Sequence, residues 1–445
     1  MKLASRSKTR LFPIRLLILI ILTLPTFSLG AQARAAEAPS FALDGVKAAI
    51  LFDAGTGETL YEYQADEPRP PASMAKMMTY YVVLDAIKQG WIGWDDMVTA
   101  SKYAADVIGS QAHIREGESY SVRDLAKALM LASANDAAVM LAEHVGGSEE
   151  NFAYMMNAKA KELGLSESAY FINATGLQRY DLGANAPLTL AGETMLTARD
   201  TALLALHLIQ DYPEVLETTR MTNWKLRDTD EKPLTNSNWM LEDYLSGSAI
   251  GGAAGGEAAN LSHLEFAYRG MDGLKTGYIQ AAGHCFTGTA VRDGIRLVSV
   301  VMGTDSMRLR FEKTKELLDY GFSQFGVVKL AEAGAGVTEM RDFPVRLGKK
   351  GEVRIAAASD AAFIGNLYAS EPSYHLEVQA TADAPLMAPV AKGDRIGVAT
   401  FSYRGQTQTI DLVAAEDVPA LTWLERSLRG VLGRLLSWTH SLGFV

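Results

Sequence analysis

The apolar and polar positions along the chain change texture several times, and each change predicts an element. Val46 to Phe52 and Thr59 to Tyr63 read as strands, joined by Asp53-Ala54-Gly55-Thr56-Gly57-Glu58, whose glycines and aspartate suit a hairpin turn. A helical run from Met77 to Gln89 stops at Gly90, and residues 91 to 120 read as irregular. Ser121 with Asp124 resembles a capping box ahead of Leu125, Leu129 and Met130. Asp136 to Glu143 is a further helix ending at Gly146-Gly147, and Ser148 with Glu149 and Glu150 opens the next, which ends near Gly164. Thr197-Ala198-Arg199-Asp200 caps a helix over Thr201 to Ile209. Consecutive helices without strands between them predict a helical lobe. From Gly273 the period changes to strands, Leu274 to Ile279, His284 to Val291 and Ile295 to Met302, the last two joined by Arg292-Asp293-Gly294; a helix over Ser306 to Tyr320 follows and should pack on that sheet. Strands at both ends with helices between them predict an α+β architecture, an antiparallel sheet covered by helices with a separate helical lobe.

Beyond this unit the pattern differs. Phe325 to Asp417 alternates in short segments such as Val353 to Ile355, His375 to Val378 and Ile396 to Tyr403, broken by Gly and Pro, and predicts a small β-sandwich domain without a catalytic constellation of its own. Leu421, Leu424, Leu428, Val431, Leu435, Trp438 and Leu442 then recur at steps of three and four, with Arg426, Arg429, Arg434, Ser437 and His440 on the other side. A basic amphipathic helix of this kind over 418–445 suits the plane of a membrane surface better than a crossing of it; packing on its own domain or on a partner is the alternative. At the other end, Lys2, Arg6, Lys8, Arg10 and Arg15 precede the apolar run Leu16 to Leu24 and the small residues Ala31-Gln32-Ala33 and Ala33-Arg34-Ala35, the layout of a secretory signal peptide over residues 1–35. The expected division is therefore 1–35, 36–324, 325–417 and 418–445. Ser246 to Ser262, rich in Gly and Ala, predicts a mobile surface loop, placed just before the Lys275 strand where it could overhang a cleft.

Composition narrows the function classes. Of the 42 Lys and Arg, six fall in the first 35 residues, which hold no acid, so the net charge of −10 becomes −16 over the rest. An acidic body argues against nucleic acid as a partner. The one cysteine, Cys285, precludes an internal disulfide or a cysteine-based metal cluster, His284 has no metal-ligand spacing around it, and nothing implies a metal or organic cofactor. Gly251-Gly252 and Gly255-Gly256 do not make a phosphate loop, because no Gly-Lys-Ser/Thr follows them at the start of a helix.

The candidate chemistry lies in three short stretches. Ser73-Met74-Ala75-Lys76 places a nucleophile and a possible base three apart at the start of a helix, on one face. Alone this pattern is cheap, since Ser5 to Lys8 in the leader repeats it, and an N-cap serine with a solvated lysine is the simpler reading. Ser133-Ala134-Asn135 and Lys275-Thr276-Gly277 follow at intervals of 60 and 142 residues, and the ordered set Ser-x-x-Lys, Ser-x-Asn, Lys-Thr-Gly is that of penicillin-recognising serine enzymes. With Pro71-Ala72 and Met77-Met78-Thr79 around the first stretch and Asp136-Ala137-Ala138 after the second, nearly the whole chain past the leader resembles the low-molecular-mass penicillin-binding proteins of the D-alanyl-D-alanine carboxypeptidase type.

That resemblance implies a penicillin-recognising, transpeptidase-like fold and an enzyme acting on peptidoglycan pentapeptide stems, inhibited by β-lactam antibiotics, at the outer face of the bacterial inner membrane with the C-terminal helix as anchor. It implies Ser73 as nucleophile, Lys76 as its base, Ser133 as proton relay to the leaving amine and Asn135 as holder of the acyl side's amide. Backbone N–H groups of Ser73 and Tyr278 would form the oxyanion hole, and Lys275, Thr276 and Gly277 with Arg310 would receive the substrate carboxylate. A surface position on its helix is the competing reading of Arg310. Lys76 can act as base only when neutral, which needs burial and a second positive charge, for which Lys275 is the candidate. The chain departs from the family at Thr175 and Gln178, where relatives commonly carry histidine and aspartate, and at Tyr278, where histidine or threonine is frequent; the first departure leaves no assigned deacylation role for the Phe171 to Leu177 segment. A class A β-lactamase would need a Glu-x-x-Leu-Asn loop, and the nearest text, Glu193-Thr194-Met195-Leu196-Thr197, lacks the asparagine. A cross-link endopeptidase and a non-catalytic wall-binding scaffold remain the competing functions.

Overall fold

The computed structural model describes residues 41–245, 264–367, 374–381 and 384–431. The expected signal peptide, the expected mobile Gly/Ala-rich loop and the expected continuation of the C-terminal helix past 431 lie outside the described residues. Five antiparallel strands form the central sheet, in the order Thr59–Tyr63, Ala48–Asp53, Ile295–Thr304, Gly283–Arg292, Met271–Ile279. Ala48–Asp53 is buried at every position because both faces of the sheet are covered. Successive side chains alternate between faces, so Ala48, Ile50 and Phe52 pack into the core shared with the helical lobe, while Ala49 and Leu51 join Phe311, Leu317 and Leu318 of the helix Met307–Gln324 on the other side. The predicted helix on the sheet is thus present, starting one residue later and running four further, with Ser306 as its cap accepting from Leu309 N–H.

In the helical lobe, Lys76–Lys88 runs through the middle, and its side chains are buried without a break from Lys76 to Leu84. A helix apolar all round has to be enclosed. Val122–Leu131, Asn135–Gly146, Glu149–Glu162 and Ala198–Asp211 surround it. Thr197 and Asp200 form the reciprocal capping box expected for the last of these. Residues 91–120, expected to be irregular, contain a short helix, Lys102–Asp106, and a ribbon pairing Met97–Thr99 with Ser119–Ser121. Elements of three to five residues are too short to show a period in sequence.

Residues 325 to 420 fold as an all-β unit. A six-stranded sheet, in the order His375–Ala380, Arg395–Tyr403, Gln406–Ala414, Glu352–Ala357, Asp342–Arg346, Leu386–Met387, and the pair Phe325–Ala331 with Ala361–Asn366 share a core that includes Val353, Ile355, Phe363, Ile396, Phe401 and Leu412. The helix expected from 418 begins at Trp423, because Val418 pairs with Val390 and Leu421 N–H donates to Leu347 O, both residues being buried in the β unit. Residues 423–431 are helical, and Trp423, Leu424, Leu428 and Val431 are exposed, Trp423 to 80%. No helix of the described residues is long and apolar enough to cross a membrane.

Candidate active site

Three elements meet where the sequence motifs lie. Ala72–Ala75 is a turn of 3-10 helix leading directly into Lys76–Lys88. Ser73 therefore sits one turn ahead of the α-helix and caps nothing, since neither helix start has a side-chain cap. Ser73 is half-buried between buried neighbours, with Lys76 on its inner side. Lys76 Nζ donates to Ser73 Oγ at 2.9 Å and to the carbonyl of Thr175 at 2.9 Å. Burial holds the Lys76 ammonium well below the usual lysine range, and the charge of Lys275 lowers it further, against the opposing pull of Asp136 and Glu149. The condition for a neutral lysine beside the serine is met by geometry.

The second stretch occupies the joint between Val122–Leu131 and Asn135–Gly146. Ser133 is buried in the left-handed region at φ 60°, and its Oγ has no hydrogen-bond partner. Asn135 donates its amide N–H to Ser110 O and its Nδ2 to Ile108 O at 2.5 Å, leaving Oδ1 buried and unpartnered. Asp136, next along, accepts from the N–H groups of Ala112 and Ile114, so the 107–114 segment is strapped over this joint. Arg227 adds a second strap, donating to Ala112 O and His113 O.

Met271–Ile279 lies at the edge of the sheet beside the Ser73 turn. A Cβ on Gly277 would stand 2.6 Å from Pro71 O, so only glycine lets the strand approach this closely. Lys275 is buried and its Nζ is 3.3 Å from Thr276 O, while Thr276 Oγ1 and Ser237 Oγ share a 2.6 Å hydrogen bond. Burial and the nearby Arg310 bring the Lys275 ammonium down to about 7. Arg310 is 3% exposed, which rules out the surface reading. It donates to the carbonyls of Gly277 and Cys285 at 3.4 and 3.5 Å, and its Nε has no partner. Burial lowers the guanidinium to about 10. Two buried cations with no carboxylate paired to either among the described residues make a pocket that favours an anion. Tyr278 turns its ring outward, 56% exposed and stacked on His284 at 4.2 Å between centroids.

The structure thus brings Ser73, Lys76 and Lys275 together, sets Thr276, Gly277 and Arg310 along the same strand edge, and leaves the Ser133 and Asn135 oxygens without protein partners. Sequence reasoning missed Ser237, which contacts Thr276 from a loop 39 residues earlier and sits in an Asn-rich stretch with no motif. It also read Glu149 only as a helix-start acid.

Residues 33–255 and 257–306 match the family described as D-alanyl-D-alanine carboxypeptidase, and residues 325–420 match the penicillin-binding protein 5 C-terminal domain. The chain is 32% identical to D-alanyl-D-alanine carboxypeptidase DacC of Escherichia coli, over 92% of this chain and 93% of that one. A crystal structure of a peptidoglycan synthesis regulatory factor (PBP3) from Streptococcus pneumoniae superposes with a TM-score of 0.63 at 31% identity, covering 85% of this chain and 100% of that one. Penicillin-binding protein D2 of Listeria monocytogenes in its ampicillin-bound form covers 62% of this chain and 98% of its own, with a TM-score of 0.51 and 33% identity. The motifs, the fold and both domain matches agree, and the chain belongs to the D-alanyl-D-alanine carboxypeptidase family of low-molecular-mass penicillin-binding proteins.

Proposed function

We propose that this protein is a serine-type D-Ala-D-Ala carboxypeptidase that removes the terminal D-alanine from peptidoglycan pentapeptide stems. The observation that carries the reading is the buried Lys76 amine 2.9 Å from Ser73 Oγ, whose burial, with the charge of Lys275 added, favours the neutral form. Ser73 Oγ attacks the carbonyl of the penultimate D-alanine and its proton passes to Lys76 Nζ. The N–H groups of Ser73 and Tyr278 receive the oxyanion. As the C–N bond breaks, the leaving amine takes its proton by way of Ser133, whose unpartnered Oγ is free to relay it, and D-alanine departs. Water then cleaves the acyl ester and restores Ser73. The Asn135 Oδ1, also unpartnered, accepts from an amide N–H of the acyl part. The free carboxylate that defines a carboxypeptidase substrate is received by Lys275, Thr276 and Arg310.

A β-lactam acylates Ser73 by the same step, and without a Glu-x-x-Leu-Asn loop to activate water the adduct is long-lived. The leader, the acidic body and the exposed apolar side of residues 423–431 support an exported protein on the outer face of the inner membrane, held by a C-terminal helix that begins at Trp423. The boundaries 36–324 and 325–417 separate the catalytic unit from a β-sandwich that serves as spacer or docking module.

The test is D-alanine release from a pentapeptide ending in D-Ala-D-Ala, with fluorescent penicillin labelling alongside. The parent chain should do both, and Ser73→Ala and Lys76→Ala should lose both by about a thousandfold or more. Labelling without release, together with cleavage of a cross-linked dimer, would instead establish the endopeptidase; labelling with neither cleavage would favour the scaffold.

A further inference from the structure

Glu149 is a buried acid that the reaction above does not use. It is the first residue of the helix Glu149–Glu162, it is 7% exposed, and no ion pair of the described residues includes it. Burying a carboxylate without a paired cation is costly unless its oxygens are satisfied in another way. Here Oε1 accepts from the Ala174 N–H at 2.9 Å and Oε2 accepts from the Tyr103 hydroxyl. The carbonyl of the same residue, Ala174, accepts from Thr79 Oγ1 at 2.6 Å, and Thr79 lies one helical turn past Lys76. The next carbonyl, Thr175 O, is the one that receives Lys76 Nζ at 2.9 Å. Asn173 shapes this turn from within, accepting from Thr175 N–H, Thr175 Oγ1 and Gly176 N–H, but those bonds do not tie it to the rest of the protein. Asn157 and Thr194 hold Phe171 and Ile172 just before the turn; within it, besides Lys76 itself, the ties are Thr79, the contact of Gly176 against Ala72, and Glu149.

Building on the carboxypeptidase reading, we infer that Glu149 is a positioning residue for the Ser73–Lys76 pair: it anchors the 173–177 turn so that Thr175 O holds the Lys76 amine against Ser73 Oγ. The Lys76 amine has two partners, and one of them, Thr175 O, is placed by a turn that Glu149 fastens. If that fastening is lost, the carbonyl is free to shift and the amine to leave the serine. Glu149 also bears on the charge of the pair. Lys76 is faced by Lys275 from the strand Met271–Ile279, by Asp136 from the helix Asn135–Gly146 and by Glu149; Glu149 in turn is faced by Tyr103, Glu143 and Lys76. Burial raises the Glu149 carboxyl, against the hydrogen bonds from Tyr103 and Ala174, and when ionised it favours the protonated amine, in opposition to Lys275.

The experiment compares Glu149→Ala and Glu149→Gln in the full chain. It reads the rate of fluorescent penicillin labelling and of D-alanine release across pH, with the thermal midpoint of each variant. A displacement of about 1 Å at a reacting pair costs roughly a hundredfold, so Glu149→Ala should slow labelling by about that factor. Glu149→Gln keeps the acceptor for Ala174 N–H but removes the charge. It should recover most of that loss, with the acidic limb of its pH profile moved to lower pH because neutral Lys76 is then reached sooner. Parental rates and profile in both variants would overturn the inference. So would equal losses in both with the parental pH profile in what activity survives, the behaviour of a residue that only supports folding. If Glu149→Ala fails to fold, the rate and pH profile of Glu149→Gln decide. A parent chain that neither labels nor releases D-alanine overturns the carboxypeptidase reading first, and this inference with it.

Discussion

Adjacent residues with the same chemistry have opposite fates in this protein. Glu149 and Glu150 both favour a helix start, yet Glu150 faces solvent and accepts from Thr189 N–H, while Glu149 turns inward beneath the Lys76 turn. One step of 100° around a helix separates them, and only the packed neighbours say which one points inward. The same holds for Arg310, for which sequence left a surface position open and burial decided. Buried Lys275 carries a prediction with a definite sign. Its folded pKa, about 7, lies below the ordinary 10.5, so between those values the unfolded chain binds the extra proton and stability rises with pH. Lys275→Met removes the penalty of a buried charge beside Arg310. Its thermal midpoint should exceed the parent's by a few degrees at pH 7 and below, the difference shrinking as pH approaches 10, while D-alanine release is lost. Melting curves across pH, read beside the activity assay, check both parts. A lower midpoint at pH 7 would mean that Lys275 makes net favourable contacts in the folded state.

At the scale of elements, local chemistry carries a long way. Thr197 and Asp200 were legible as a cap, and the structure has both halves of the box. Thr197→Ala should cost about 1 kcal/mol and lower the thermal midpoint by a few degrees, with penicillin labelling at the parental rate, as a melt and a labelling time course would show. The Asp293-Gly294 hairpin and the stop at Gly90 were legible for the same reason, since each depends on residues within a turn of one another. Boundaries were less so. The 3-10 turn at Ala72–Ala75 changes Ser73 from a helix cap into a side chain ahead of the helix, at the place where the strand carrying Gly277 packs against Pro71 and Ala72. The short ribbon of Met97–Thr99 with Ser119–Ser121 was illegible because its partner strand is 20 residues away and each strand spans three.

For the whole molecule, the proposed division of labour between a catalytic unit, a β unit and a terminal helix leads to a separable prediction. A chain ending at Leu421, which keeps Val418 and Leu421 in the β unit, should release D-alanine at the parental rate but no longer sediment with vesicles containing anionic phospholipid, whereas the full chain should sediment and be partly released by salt. Co-sedimentation of the truncated chain would move the membrane contact elsewhere. The sequence by itself determined the α+β class, the order of the three motifs and the family, because periodicity, capping and motif spacing are local or directly countable. Tertiary structure alone decided that Lys76 is enclosed, that Lys275 and Arg310 are both buried with the charge of one acting on the other, that Ser237 reaches Thr276, and that Glu149 bonds the turn holding Lys76. Each of these joins residues far apart in the chain, and what a charge does depends on the burial and neighbours that only folding supplies.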